Sequence, residues 1–253
     1  MNLGNKGSTS NSKEETSEEN SARLLKVLTF GDSLTEGFHR FGFAFHPYSN
    51  ELTKLIDEKY AEQEDNEKEA MVHQRGLSGE NTDHMIPRLA GILDRVAKTG
   101  FPYHVVCVLA GTNDLADDDT AEQIFSRLKH LYEQVMMHGD GRTLLVTITI
   151  PPSAFMDEEY VARRSAINAL IKEYSSSNNC DSAAAGGERG RVVCVDAEQG
   201  LPYWSAPGEK DTVLWDDALH LTPEGYDRLG GLVFSAIEPR LGDFLLGETE
   251  DSS

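Results

Sequence analysis

Leu24-Leu25-Lys26-Val27-Leu28-Thr29-Phe30, followed without a spacer by Gly31-Asp32-Ser33-Leu34, opens the structured part of this 253-residue chain. The first seven residues form a continuous β-rich run rather than an apolar/polar alternation. Such a run suits a strand that is covered on both faces. Four more runs of this kind follow, near Met71–Gln74, Tyr103–Ala110, Thr143–Ile150 and Arg191–Val195. Helical patterns separate them: Ser49–Lys59, Asn81–Lys98, Thr120–Met137, Glu158–Tyr174 and, after the last strand, Thr222–Leu241. Ser49 and Asn81 stand where helix caps are expected, and Thr222-Pro223 is a cap followed by Pro at the first helical position. Strand and helix in regular alternation predict a parallel, doubly wound α/β sheet.

In such sheets the functional groups gather beyond the C-terminal ends of the strands. The first strand is followed by Gly31-Asp32-Ser33-Leu34-Thr35-Glu36-Gly37, and the second by Gly76-Leu77-Ser78-Gly79-Glu80-Asn81-Thr82. Gly111-Thr112-Asn113-Asp114 follows the third, and Asp216-Asp217-Ala218-Leu219-His220 precedes the final helix. One sheet edge therefore carries a serine, a glycine, an asparagine and an Asp-x-x-His. Together they are the material of acyl transfer: a nucleophile, a base, a carboxylate to orient it, and donors for an oxyanion.

These four blocks, in this order, resemble the SGNH hydrolases, also called GDSL esterases/lipases. The resemblance runs from about Leu25 to Leu241. It implies a three-layer α/β/α domain with a five-stranded parallel sheet of flavodoxin-like type. It also implies Ser33 as nucleophile, His220 as base, and an oxyanion hole made by the Ser33 and Gly79 backbone N–H groups and the Asn113 amide. An alcohol needs such a base to take its proton, and an imidazole can accept and return one. Seven other histidines exist, and none has an Asp three residues before it. Asp217 fits the Asp-x-x-His spacing, whereas its neighbour Asp216 reads as a surface acid. Gly76 is a local rival to Gly79 as a plain turn glycine. Asp32 and Asp114 are expected to organise their loops by hydrogen bonding. The aromatic run Phe38–Tyr48 either walls an acyl or alcohol pocket or packs under the first helix. Pro151-Pro152 and Leu201-Pro202-Tyr203-Trp204 fall at rim positions.

Composition bounds the remaining possibilities. Asp and Glu number 43 against 23 Lys and Arg, a formal charge of −20. A surface this acidic repels phosphate backbones and anionic lipid, so nucleic-acid and membrane-surface binding are not expected. No apolar run reaches the roughly 18–20 residues that span a bilayer. Residues 1–22 are polar, without a secretory h-region or a myristoylation start, and read as a disordered arm; 247–253 read as an acidic disordered tail. Residues 23–246 are then the hydrolase domain. Asp57–Ala70 is charge-dense and Ser175–Gly190 small and polar, as expected of a connector and a mobile loop. Three cysteines, Cys107, Cys180 and Cys194, are too few for a disulfide scaffold, so a cytoplasmic protein with reduced thiols is expected. There is no His-x-x-x-His, Cys-x-x-Cys or P-loop pattern, and the chemistry as read needs no cofactor or metal. The expectation is hydrolysis of small, short-acyl carboxylic esters. Acyl transfer through the same residues, or ligand binding without catalysis, are the alternatives. The sequence carries no sign of oligomeric state.

Overall fold

The inner apolar runs become strands because both faces of the sheet are covered there. The computed structural model describes residues 24–62, 69–179 and 191–244. The expected arm 1–22 and tail 247–253 lie outside the described residues, as do 63–68 of the connector and 180–190 of the loop. Strands β1 (Leu24–Gly31), β2 (Glu69–Gly76), β3 (Val105–Leu109), β4 (Leu144–Ile148) and β5 (Val192–Val195) form one parallel sheet in the order β2-β1-β3-β4-β5. This is the flavodoxin-like order, whose crevice opens where the winding reverses between β1 and β3.

Two cores lie on the two faces of the sheet. On one, Leu25, Val27, Cys107 and Val146 pack against α2 (Ser49–Glu62) and α7 (Pro223–Ile237), through Leu52, Ile56, Leu229 and Val233. On the other, Leu28, Phe30, Val106, Val108 and Leu145 meet α3 (Thr82–Ala97), α4 (Ala121–Met136) and α5 (Glu158–Asn178). Adjacent residues of β1 thus point into different cores, which is why the run shows no alternation. Between these long elements lie α1 (Ser33–Glu36) and α6 (Ala197–Gly200).

Four local expectations are corrected. β2 is an edge strand, so it alternates between exposed and half-buried residues instead of being covered throughout. Ser175–Asn178 is not loop but the end of α5. Ser175 is buried there, with its hydroxyl on the Ile171 carbonyl at 2.8 Å and the Thr147 hydroxyl at 2.6 Å. The last helix stops at Ile237 and tightens into a 3₁₀ segment, Glu238–Phe244, because Pro239 has no N–H for the α-helical ladder. Asn81 occupies the cap position of α3, but its side chain reaches Asp117 Oδ2 at 2.7 Å; the Asp114 carboxylate takes the Thr82 N–H instead. Thr222 does cap α7, accepting the Gly225 N–H at 3.1 Å.

At the opposite edge of the sheet, two imidazoles serve as acceptors for backbone N–H groups. His104 Nδ1 accepts from Lys26 N at 2.9 Å, and His138 Nε2 from Tyr103 N at 3.0 Å. A protonated imidazole could accept neither bond. Burial, with the nearby Lys26 charge, pushes His104 down to about 4 and lowers His138 as well. The unfolded chain takes up protons at these positions below about pH 6.5, where the folded chain does not. Stability contributed by neutral His104 is therefore present above that pH and drains away as the pH falls toward 4. His104→Asn keeps an acceptor oxygen but cannot titrate. The stability of the wild type relative to this variant should shrink between pH 6.5 and 4 in urea unfolding; a constant difference across that window would contradict the assignment.

Candidate active site

Where β1 ends, Asp32 is wholly buried and caps the four-residue turn α1, its Oδ1 accepting the Leu34 N–H at 2.9 Å. Burial pushes this carboxyl up to about 7, against the pull of the Leu34 hydrogen bond. Gly37 closes the turn in the left-handed region at φ 81°, its N–H on the Ser33 carbonyl at 3.0 Å. Ser33, 5% exposed, is the first residue of α1.

His220 arrives from the other end of the chain. The Asp217 Oδ1 accepts the backbone N–H groups of Leu219 and His220, both at 2.7 Å, which bends residues 217–220 into a tight turn. The turn brings Asp217 Oδ2 to His220 Nδ1 at 2.9 Å, and His220 Nε2 lies 3.0 Å from Ser33 Oγ. Burial alone would raise Asp217, but the hydrogen bonds from His220 and Leu219 prevail and hold it below the usual carboxylate range. An ionised Asp217 accepts a hydrogen bond from Nδ1–H, which keeps the proton on that nitrogen, and Nε2 is then the acceptor that faces the serine hydroxyl. Neighbours brace the turn: Tyr203 donates its hydroxyl to the Asp217 carbonyl at 3.1 Å, Ala154 N–H to the Ala218 carbonyl at 2.8 Å, and the Phe38 ring lies 4.4 Å from the imidazole.

The two glycines after β2 separate cleanly. A Cβ on Gly76 would overlap Glu36 N and stand 2.7 Å from the Asp32 carbonyl oxygen, so Gly76 is where the serine turn rests on β2. Gly79 has φ +78° and open space where a side chain would be. Its segment is tied to the serine turn by Glu36, whose carboxylate accepts the Ser78 N–H at 2.9 Å and the Ser78 hydroxyl. Asn113 is bound to the same segment, its Nδ2 donating to the Glu80 carbonyl at 3.0 Å. Asp114 is buried and accepts from Thr82 and from Arg127 at 3.1 Å, as expected of a loop organiser.

Thus Ser33, His220 and Asp217 form one hydrogen-bonded chain, with the Gly79 and Asn113 segments fastened beside it. Two expectations are corrected. Asp216 is half-buried rather than a free surface acid: its Oδ2 accepts the Arg40 N–H at 2.6 Å. That bond pins a loop in which Arg40 and Phe41 both adopt left-handed backbone, at φ 49° and 55°. The phenylalanines of that loop do not pack under a helix; Phe41, Phe43 and Phe45 are 82%, 91% and 52% exposed, and only Phe38 turns inward to His220. Sequence reasoning passed over Glu80 and Arg88, and gave Tyr203 only a place at the rim. Their bonds to Gly31, Asn113 and Asp217 lie outside any local pattern. No group of three or more His, Cys, Asp or Glu among the described residues is arranged to hold a metal ion. Among the same residues, no helix is long and apolar enough to cross a membrane.

A sequence profile of the GDSL-like lipase/acylhydrolase family matches residues 29–228. No curated protein matches the chain. Several solved structures share its fold. A GDSL-like lipase from Bacteroides thetaiotaomicron is 18% identical over 90% of this chain and 98% of its own, with a TM-score of 0.55. A carbohydrate acetylesterase family member from Sinorhizobium meliloti is 20% identical over 87% and 99%, with a TM-score of 0.59. A carbohydrate esterase family 3 protein from Talaromyces cellulolyticus is 18% identical over the same shares, also at 0.59. At such identities the likeness is one of fold.

The contrast between the two glycines is testable. Gly79→Ala meets no atom and should cost only the left-handed strain, about 1–2 kcal/mol. Gly76→Ala drives a methyl into backbone that cannot yield without moving the serine turn, so its urea midpoint should fall further. Equal losses for the two variants would show that Gly76 does not carry this packing.

Proposed function

The chain belongs to the GDSL-like lipase/acylhydrolase family, and from that premise we propose that it is a serine esterase acting through an acyl-serine intermediate. The observation that carries this reading is the single imidazole that spans Asp217 and Ser33, at 2.9 and 3.0 Å on its two nitrogens.

Ser33 Oγ attacks the ester carbonyl carbon while His220 Nε2 takes the hydroxyl proton. Asp217 holds the ring by Nδ1 and offsets the positive charge that forms on it. The carbonyl oxygen becomes an oxyanion, met by the Ser33 and Gly79 N–H groups and by the Asn113 amide. The C–O bond to the alcohol then breaks, and His220 returns its proton to the departing oxygen. Water attacks the acyl-serine with His220 again as base, and the proton finally goes back to Ser33 Oγ as the acid leaves. The substrates proposed are small, short-acyl esters, whose carbonyl must reach a Ser33 that is 5% exposed and a His220 side chain that is 15% exposed. The carbohydrate esterases that share the fold are in keeping with such substrates.

An ester panel graded by acyl length, with and without added alcohols, tests the reading: hydrolysis falling off with acyl length is expected, and products built mainly on the added alcohol would make the protein a transferase. The two adjacent acids give the sharper test. Asp217→Asn should cut kcat by as much as about 10⁴-fold, because an amide can present its N–H to Nδ1 and so stabilise the wrong tautomer. Asp216→Asn should leave kcat nearly unchanged and raise KM, because it loosens the Arg40 loop and not the imidazole. If Asp216→Asn carries the large kcat loss and Asp217→Asn does not, the orienting acid is Asp216.

A further inference from the structure

Arg88, on the first turns of α3, is bound to more of this site than any residue the mechanism names. Its Nε lies 2.8 Å from both carboxylate oxygens of Glu80, and its Nη2 also reaches Glu80. The same Nη2 donates to the Gly31 carbonyl at 3.0 Å, and Nη1 donates to the Arg75 carbonyl at 3.0 Å. The face of the guanidinium lies over the Phe30 ring, 4.1 Å from its centroid. One planar group is therefore fastened to the end of β1, to the end of β2 and to the loop that carries Gly79. The Glu80 side chain is 7% exposed and that of Arg88 22%.

Stability is a poor explanation for such a pair. Removing two charges from water costs roughly what their attraction returns, and an apolar pair of like volume often serves as well. Position is a better one. The Glu80 carbonyl is the group that accepts Asn113 Nδ2. An Asn amide turns easily about its last torsion, where the energy wells are broad. With one N–H fixed on Glu80, the second is aimed by default. An oxyanion donor is useful only within about 2.7–3.1 Å of where the charge appears. Whatever fixes Glu80 therefore fixes the aim of Asn113, and Arg88 fixes Glu80 while holding the strand end that leads into Ser33.

We infer that Arg88 is a positioning residue for the Asn113 oxyanion donor, acting through Glu80. This rests on the esterase reading above, in which Asn113 meets the oxyanion. Lysine can replace it only in part, since a point charge lacks the fork that engages Glu80 and Gly31 together.

A double-mutant cycle on the full-length protein tests it, using Arg88→Gln, Asn113→Ala and the two combined. Asn113→Ala alone should lower kcat by about 10²–10³-fold with little change in KM. Arg88→Gln alone should lower kcat by about 10–100-fold, again with KM nearly constant, as misplacement of a donor does. In the Asn113→Ala background, Arg88→Gln should cost less than about twofold, because the donor it positions is gone. Arg88→Lys should restore only part of the loss. If Arg88→Gln unfolds because Glu80 is left unpaired, the apolar pair Arg88→Met with Glu80→Met takes its place in the same cycle, with the same expectation. Equal kcat losses from the Arg88 change in both backgrounds would make its role merely structural and overturn the inference, leaving the esterase reading intact. An Asn113→Ala variant with unchanged kcat would overturn the oxyanion assignment, and the role of Arg88 with it.

Discussion

At the C-terminal end of β1 the serine turn and the strand ends lie so close together that no side chain fits at Gly31 or Gly76. Gly31 pairs with Gly76 on one side and Leu109 on the other. A Cβ at Gly31 would overlap the Leu109 carbonyl and the Thr35 hydroxyl, and one at Gly76 would overlap the backbone of Glu36. The turn that presents Ser33 thus lies directly on strand backbone, the least compliant part of the molecule. Its position is inherited from the sheet register rather than from a flexible loop, which is the condition under which a serine hydroxyl can be held in place to attack a carbonyl carbon.

The second half of the site reaches Ser33 from 187 residues away, so its placement depends on packing. α7 is clamped to the serine loop by the Tyr226 hydroxyl, which donates to the Phe38 carbonyl at 2.7 Å. Trp215 is buried and gives its indole N–H to the Pro202 carbonyl at 2.9 Å, fixing the approach to Asp217. Two acids in one site then have opposite surroundings. Asp32, enclosed beneath the turn, is pushed up to about 7 by burial, whereas Asp217, half-open and bonded by three N–H groups, is held low. Only the second can stand as a permanent negative partner for an imidazolium, a division of roles set by environment alone.

Much of this was legible in the amino-acid sequence, for identifiable reasons. Buried parallel strands are written as unbroken apolar runs, and the serine, asparagine and Asp-x-x-His blocks each follow an element boundary, so the fold and the residues gathered at one end of the sheet could both be read locally. What could not be read depends on contacts between distant residues. Gly76 and Gly79 look alike in Gly-Leu-Ser-Gly, and only the atoms of Glu36 and Asp32 distinguish them. Asp216 looks like a surface acid until Arg40, 176 residues earlier, is brought to it. The aromatic run after the serine turn gave no indication of which rings face water, because the left-handed backbone at Arg40 and Phe41 breaks any periodicity. Arg88 is one more basic residue on an amphipathic helix until its guanidinium is seen across the ends of β1 and β2 and the Gly79 loop.

The central claim is that Ser33 is made nucleophilic by this surrounding. Incubation of the purified protein with a fluorophosphonate, followed by intact-mass and peptide mass spectrometry, tests it without knowledge of the substrate. One stoichiometric adduct, on the peptide that contains Ser33 and absent from a folded Ser33→Ala variant, is the expected result. A folded protein that takes up no probe, or one that labels equally after Ser33→Ala, would contradict it.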